Sequence, residues 1–358
     1  MKPLGYLTPL AWIYGIVATF RARFYQAGYL PSHKLPGTTI SVGNLTTGGT
    51  GKTPIVLWLA QQFVGEGRRV AILTRGYKGK PPKSAKPGAS TDSATDPAAN
   101  ALSALATDSD EVRLLAEHLS DTVAFGVGPK RYLEGMKLAQ KGINTFILDD
   151  GFQHLELARD INLLLIDATN PFGGGKTLPA GYLREPRSAI ARADIVAITR
   201  ATSSPAIETI VRRYTQAPII YIDFELQGLK PLEADTTPEI SAIDAISPAT
   251  RWFAFSGIGN AQAFTKSLKD WDLNVAGHKD FPDHHKYSDA DIRSIVNTAA
   301  SVSATHLVCT EKDKFNLPAG TNFGMPAYYC TIAPSSSAQL ALWNAIQTVL
   351  TAKNQPPA

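Results

Sequence analysis

Cysteine is nearly absent: the 358 residues include only Cys309 and Cys330. Two thiols exclude a disulfide framework or a cysteine-based metal knuckle, and both read as reduced core thiols of a cytoplasmic protein. Charge is sparse at 18% of residues, and an apolar content of 44% is that of an ordinary globular chain. The length suffices for two domains with cores of their own. Acids are missing from residues 1–36, where Lys2, Arg21, Arg23 and Lys34 are the charged residues. The remainder carries 31 basic and 31 acidic residues, so the formal +4 belongs to the amino-terminal stretch. A nucleic-acid binder would spread basic clusters over its body, whereas charge confined to one end suits an anionic membrane surface. No internal repeat is evident.

Long hydrophobic runs are missing too, with one exception. Residues 4–20 are nearly all apolar, and Arg21, Arg23, Phe24 and Tyr25 follow. The run sits at the short limit for spanning a bilayer, and Pro9 interrupts it. Ala18-Thr19-Phe20-Arg21 is a poor cleavage site, which argues against a secretory signal. A helix lying in the membrane interface, aromatics at headgroup depth and arginines on anionic lipid, explains more of the composition than a spanning or merely buried helix.

The chain is organised around Thr46, Thr47, Gly48, Gly49, Thr50, Gly51, Lys52 and Thr53. An apolar strand-like run precedes this stretch and a helical pattern follows it, the context of a phosphate-binding loop. The glycines let successive N–H groups converge on phosphate oxygens, and the new helix adds its positive dipole end. Lys52 would reach the β- and γ-phosphates of ATP, and the Thr53 hydroxyl would hold Mg²⁺. One departure is plain: Thr46 stands where such loops usually carry their first glycine. The loop implies nucleotide binding, not the reaction.

Continuous apolar runs at 68–74, 122–127, 145–148, 162–166 and 194–199 alternate with helical stretches such as 129–140. This predicts an α/β fold: a phosphate-loop NTPase-like, doubly wound, mostly parallel sheet with ligands at the carboxyl ends of its strands. Residues 78–107, rich in Lys, Pro, Ser, Ala and Asp, read as a flexible insertion. The expected organisation is an amino-terminal membrane-associating segment (1–36), a phosphate-loop domain (37–220), a linker (221–250), a smaller α/β domain (251–334) and a last helix (335–352) that packs on the first domain.

Four strand-end clusters can carry chemistry. Asp149 and Asp150 close an apolar strand and match the metal-holding acid of phosphate-loop enzymes, although capping acids are the plainer alternative. Asp110, with Asp108 and Glu111, opens a helix, where acids are favoured for dipole reasons alone. Asp283, His284 and His285 place an acid beside imidazole, a device for a general base, or else a pair of surface histidines. Arg184 offers a fork for phosphate and Glu185 an acceptor for sugar hydroxyls, or the two form a surface ion pair.

Taken together, the sequence resembles the tetraacyldisaccharide 4′-kinase family. The matching pieces are Ser41 through Pro54, Thr74-Arg75-Gly76-Tyr77, Asp110-Glu111 with Leu114-Leu115-Ala116, Leu148-Asp149-Asp150-Gly151-Phe152-Gln153-His154, Arg159-Asp160, Pro179-Ala180-Gly181, Leu183-Arg184-Glu185-Pro186, Phe255-Ser256-Gly257-Ile258, Phe281-Pro282-Asp283-His284 and Thr310-Glu311-Lys312-Asp313. The resemblance implies transfer of the ATP γ-phosphate to the 4′-hydroxyl of an acylated disaccharide 1-phosphate in lipid A biosynthesis. The place implied is the cytoplasmic face of the bacterial inner membrane, with the enzyme attached peripherally. It also implies Asp110 as the base paired with His284, Lys52 and Thr53 on the nucleotide, Asp149 and Asp150 on Mg²⁺ and phosphates, and Tyr77, His154, Arg184 and Glu185 near the disaccharide. The chain departs from the family at Ser109-Asp110-Glu111-Val112, where Gly-Asp-Glu-Pro is usual. No nucleic-acid partner and no obligate protein partner are expected. The rivals are a membrane-associated ATPase switch of the partitioning type, whose signature lysine is replaced here by Thr47, and a small-molecule kinase, which leaves the amino-terminal segment without a use.

Overall fold

The computed structural model describes residues 5–76, 109–119, 121–233 and 238–354. Tyr77 and the insertion expected over 78–107 lie outside the described residues. The chain divides into two compact units, Met1–Asp223 with Pro334–Ala358 and Phe224–Ala333.

In the first unit, helix α1 (Thr8–Gln26) precedes β1 (Thr38–Asn44), α2 (Lys52–Gly65), β2 (Val70–Thr74), α3 (Asp110–Leu119), β3 (Val123–Val127), α4 (Arg131–Gln140) and β4 (Thr145–Asp149). Then follow β5 (Ile161–Asp167), β6 (Ile195–Thr199), α5 (Pro205–Val211) and β7 (Ile219–Ile222). The strands form one sheet in the order β3-β2-β4-β1-β5-β6-β7, every pairing parallel. Residues such as Ile40, Val42, Ile72, Ile147, Leu163 and Ile198 are fully buried, as expected of strands covered on both faces. The chain runs outward from β1 to β3, returns at β4, and leaves on the other side through β5. The loop after β1 therefore opens at the topological switch point, where such sheets bind ligands. Gly43 near the end of β1 is required by close approach: a Cβ there would lie 2.6 Å from the Phe152 amide nitrogen.

In the second unit, β8 (Phe224–Pro231), β9 (Ile240–Ser241), β10 (Trp252–Ser256), α6 (Ala261–Asp270), β11 (Val275–Asp280), α7 (Asp289–Ser301), β12 (His306–Thr310), the short α8 (Glu311–Lys314) and β13 (Ala327–Pro334) build a mixed sheet. Its order is β11-β10-β12-β13-β8-β9, parallel from β11 to β13 and antiparallel between β8 and β9. The linker expected over 221–250 is thus corrected: much of it is sheet. Leu226, Leu229 and Ala245 join the core around Trp252, whose indole N–H donates to the Ala245 carbonyl at 3.1 Å. β9 stands at one edge of the sheet with β8 beside it.

After β13 the chain returns to the first unit as α9 (Ser336–Asn354). The indole of Trp343 meets Trp58 and Phe63 of α2 edge-on, and Lys353 pairs with Asp194 at 2.6 Å.

Candidate active site

The loop between β1 and α2 is shaped by its own glycines and by neighbouring strand ends. Gly51, in the left-handed region at φ 78°, turns the chain into α2, and Gly48 adopts φ 123°. Thr46, in the glycine's usual place, forms a β-bridge with Leu183. The Thr47 N–H donates to the Tyr182 carbonyl at 2.8 Å, and the Arg184 N–H donates to the Leu45 carbonyl at 2.7 Å. Backbone pairing thereby carries Arg184, more than a hundred residues away in sequence, to the flank of the loop.

The acids at the end of β4 diverge. Asp150 stands at φ 49°, with Oδ1 3.5 Å from Lys52 Nζ and Oδ2 2.6 Å from Arg184 Nη1. Burial alone would raise its carboxyl, but the Lys52 and Arg184 charges outweigh that and hold it well below the usual range. Asp149 is pushed the other way, by burial and then by the Asp150 charge. A buried acid beside a second carboxylate is an oxygen donor set suited to a hard divalent cation, which would relieve the cost of its charge. Thr53, buried in the first turn of α2, supplies a hydroxyl beside the loop. Lys52 also donates to Asn44 Oδ1 at 3.3 Å.

Among the residues expected near a sugar, His154 is half-buried with an unpartnered buried Nε2. Burial first, then the charges of Arg131, Arg159 and Arg21, lower its imidazole to about 4, so it is neutral at physiological pH. Arg159 holds the turn beneath it, donating to the carbonyls of Gly151 at 2.9 Å and His154 at 3.1 Å. Glu185, also expected near the disaccharide, is 5% exposed, and Arg192 grips both of its oxygens, Nη1–Oε2 2.8 Å and Nη2–Oε1 2.9 Å. The guanidinium of Arg192 also lies 4.7 Å from the Phe152 ring centroid. This buried bidentate pair ties the Arg184 segment to the strand-end turn rather than presenting an acceptor outward. Sequence reasoning missed Asn44, Arg131, Arg159 and Arg192. Of these, Asn44 and Arg159 fall within matched pieces, Ser41 through Pro54 and Arg159-Asp160, but neither was given a role there.

Asp110 is buried at the first turn of α3, where its Oδ1 accepts from the Glu111 N–H at 3.0 Å. In the second unit, His284 sits on a turn after β11 in the left-handed region, φ 57°, its N–H donating to the Gly257 carbonyl at 2.9 Å. Its Nε2 is 3.9 Å from Asp283 Oδ2. The turn is braced by Asp313, which accepts from the Gly257 N–H (2.7 Å), the Tyr287 hydroxyl (2.8 Å) and the Thr310 N–H (3.2 Å) and hydroxyl (2.5 Å).

Helix α1 is inside out for a soluble helix. Ala11, Gly15 and Ala22 face the first unit, while Trp12, Val17 and Phe20 stand more than half exposed, at 72%, 61% and 51%. Thr177 donates to the Ala11 carbonyl at 2.5 Å and Lys176 to the Thr8 hydroxyl at 3.0 Å, while Arg21 reaches the Gln153 carbonyl at 3.4 Å. Among the described residues no helix is long and apolar enough to cross a membrane.

Residues 4–351 match the family described as LpxK, tetraacyldisaccharide-1-P 4′-kinase. The tetraacyldisaccharide 4′-kinase of Geobacter sulfurreducens is 36% identical over 321 residues, 89% of this chain and 85% of that protein. The one from Pelobacter propionicus is 36% identical over 325 residues, 88% and 83% of the two chains. A solved structure, the "apo" form of LpxK from Aquifex aeolicus in complex with ATP, is similar with a TM-score of 0.66 at 29% identity, covering 96% of this chain and 98% of that one.

Proposed function

The chain belongs to the tetraacyldisaccharide-1-P 4′-kinase family, and from that membership we propose that it transfers the γ-phosphate of ATP to the 4′-hydroxyl of an acylated disaccharide 1-phosphate in lipid A biosynthesis. The observation that carries this reading is the charge arrangement at the end of β4. Lys52 and Arg184 converge on Asp150 at the flank of the phosphate loop, cations already assembled where a terminal phosphate would arrive. Phosphoryl transfer passes through a loose transition state with charge spread over the phosphoryl oxygens, so positioning and charge neutralisation carry most of the acceleration. In this account the loop N–H groups and Lys52 grip the β- and γ-phosphates. Asp150 keeps Lys52 and Arg184 aimed, then exchanges them with the incoming anion.

Thr53 and Asp149 would hold Mg²⁺, with Asp150 beside them; the ion would neutralise charge on the β- and γ-phosphates. Asp110 would take the proton of the sugar hydroxyl, with His284 as its partner. That pairing is inferred from the family resemblance, and support from each side is local: a buried carboxylate at the head of α3 and an imidazole on a braced, strained turn. Neutral His154 and Arg184 would lie toward the disaccharide, and Tyr77 belongs to the same proposal.

The outward apolar face of α1, with Arg21 and Arg23 at its end, supports peripheral attachment to an anionic membrane surface, the cytoplasmic face of the inner membrane in this reading. The acyl chains of the substrate would then stay in the bilayer while its headgroup is phosphorylated. The deciding experiment supplies ATP with a purified tetraacylated disaccharide 1-phosphate and follows phosphate incorporation at the 4′ position, measuring ATP hydrolysis without lipid alongside. Incorporation is the expected result; hydrolysis without transfer would favour the ATPase-switch rival. Deleting residues 5–26 should release the protein from vesicles containing anionic lipid, and undiminished binding would remove α1 from the account.

A further inference from the structure

The shape of a phosphate cradle depends on which way each peptide plane faces, and in this loop side chains outside it set three planes in succession. Asn44 Nδ2 donates to the Gly48 carbonyl at 3.5 Å, Arg200 Nη1 to the Gly49 carbonyl at 3.3 Å, and the Thr199 hydroxyl to the Thr50 carbonyl at 3.0 Å. In a planar trans peptide the carbonyl and the following N–H point opposite ways. Fixing the carbonyls of Gly48, Gly49 and Thr50 therefore turns the N–H groups of Gly49, Thr50 and Gly51 away from those partners, free to meet an anion. Such a run of N–H groups is a nest, which glycines permit but do not by themselves enforce.

The devices on β6 are built for this task. Thr199 is fully buried, and its hydroxyl serves a loop two strands away in the sheet order. Arg200 stands in the left-handed region at φ 59°, a conformation a side-chain-bearing residue adopts at a cost, and its N–H is fastened to the Ile222 carbonyl at 2.7 Å. Its guanidinium is aimed by Asp167 at the end of β5, Nη1–Oδ2 2.5 Å, and Asp167 is itself buried.

We infer that Thr199 and Arg200, with Asp167 behind them, are positioning residues for the triphosphate: they hold the Gly49 and Thr50 carbonyls turned away so that the loop N–H groups are pre-aimed at phosphate oxygen. This rests on the nucleotide-binding assignment of the loop made above. Pre-aimed donors need no reorganisation when the anion arrives, so the effect falls on nucleotide affinity and on kcat, not on the lipid.

The test compares the full-length wild type with Thr199→Val, which keeps the shape and deletes the hydroxyl, and Thr199→Ser, which restores it. ATP and inorganic tripolyphosphate are titrated calorimetrically, and KM for the lipid substrate is measured alongside. Thr199→Val should weaken ATP about tenfold, the scale of one buried hydrogen bond, and weaken tripolyphosphate by the same factor. The lipid KM should stay unchanged and Thr199→Ser should recover the affinity. Wild-type affinity in Thr199→Val, or a loss that Thr199→Ser does not repair, overturns the inference. Should Thr199→Val not fold, Arg200→Gln is read in its place with the same expected weakening, and undiminished ATP affinity there overturns the inference equally. Lys52→Ala separates the two levels. If it binds ATP as the wild type does, the loop assignment itself fails; if it weakens binding while the Thr199 variant does not, only the positioning role fails.

Discussion

Asp150 and Asp313 occupy corresponding places, each just past the carboxyl end of a parallel strand, and are satisfied by opposite chemistry. Asp150 in the first unit has two cations, Lys52 and Arg184, which hold its carboxyl low against the burial that would raise it. Asp313 in the second unit is ringed by neutral donors, two N–H groups and two hydroxyls, and burial prevails, leaving its carboxyl raised. Cations can leave one anion for another at little cost, so the first arrangement suits a place where phosphates arrive. Neutral donors fixed in a loop have nowhere to go, so the second suits a brace. The contrast separates a site kept ready for charge from a joint that keeps a turn in shape.

The largest expected effects are at Asp110 and at His284, whose turn Asp313 braces. Asp110→Ala and His284→Ala should each lower kcat by about 10²- to 10⁴-fold, the usual contribution of general-base assistance, with ATP affinity retained. If they act as a pair, the double variant should be little worse than either single one; multiplicative losses in single-turnover assays would separate them. Next in size is Asp150→Asn. It leaves Lys52 and Arg184 without their anchor and should cost about 10- to 100-fold in kcat, as loss of an aiming partner does. A variant that unfolds early while keeping its turnover would reverse the assignment of the two acids.

Asp313→Asn should behave the other way. It sets an amide N–H₂ against a ring of donors, so a loss of about 1–3 kcal/mol in unfolding free energy is expected in denaturant titrations, and activity should recover at low temperature. The smallest effect is in pH. A carboxyl raised on folding binds more protons native than unfolded, so its contribution to stability declines as pH rises from the unfolded value near 4 toward the folded one. Asp313→Asn should flatten that decline. Asp150, lowered on folding, contributes stability present above the unfolded value and lost only as the solution is acidified through the folded one. Urea midpoints across a pH series would reveal the two opposite slopes, and identical profiles in both variants would abolish the distinction.

The phosphate loop and the parallel sheet were legible in the sequence because both depend on short-range signals: glycines at fixed spacing, and apolar runs long enough for one strand. Strands β8 and β13 were not, because Phe224–Pro231 and Ala327–Pro334 alternate burial or end in proline and owe their place to partners distant in sequence. The site divides the same way. Lys52 and Thr53 follow from the motif. The second role of Thr46, bridged to Leu183, and the capture of Glu185 by Arg192 follow from pairings that no local pattern encodes. Arginines are common enough that nothing in the sequence sets Arg192 or Arg200 apart from those in solvent; their pairing with the buried Glu185 and Asp167 does.

One short span, residues 176–184, touches both α1 and the nucleotide loop. Lys176 and Thr177 fasten the Thr8 and Ala11 end of α1, and Tyr182 and Arg184 are hydrogen-bonded to Thr47 and Leu45. The position of α1 and the outline of the cradle are consequently not independent coordinates. A lift or tilt of α1 relative to the sheet is either absorbed inside that span or handed on to the residues that grip the phosphate.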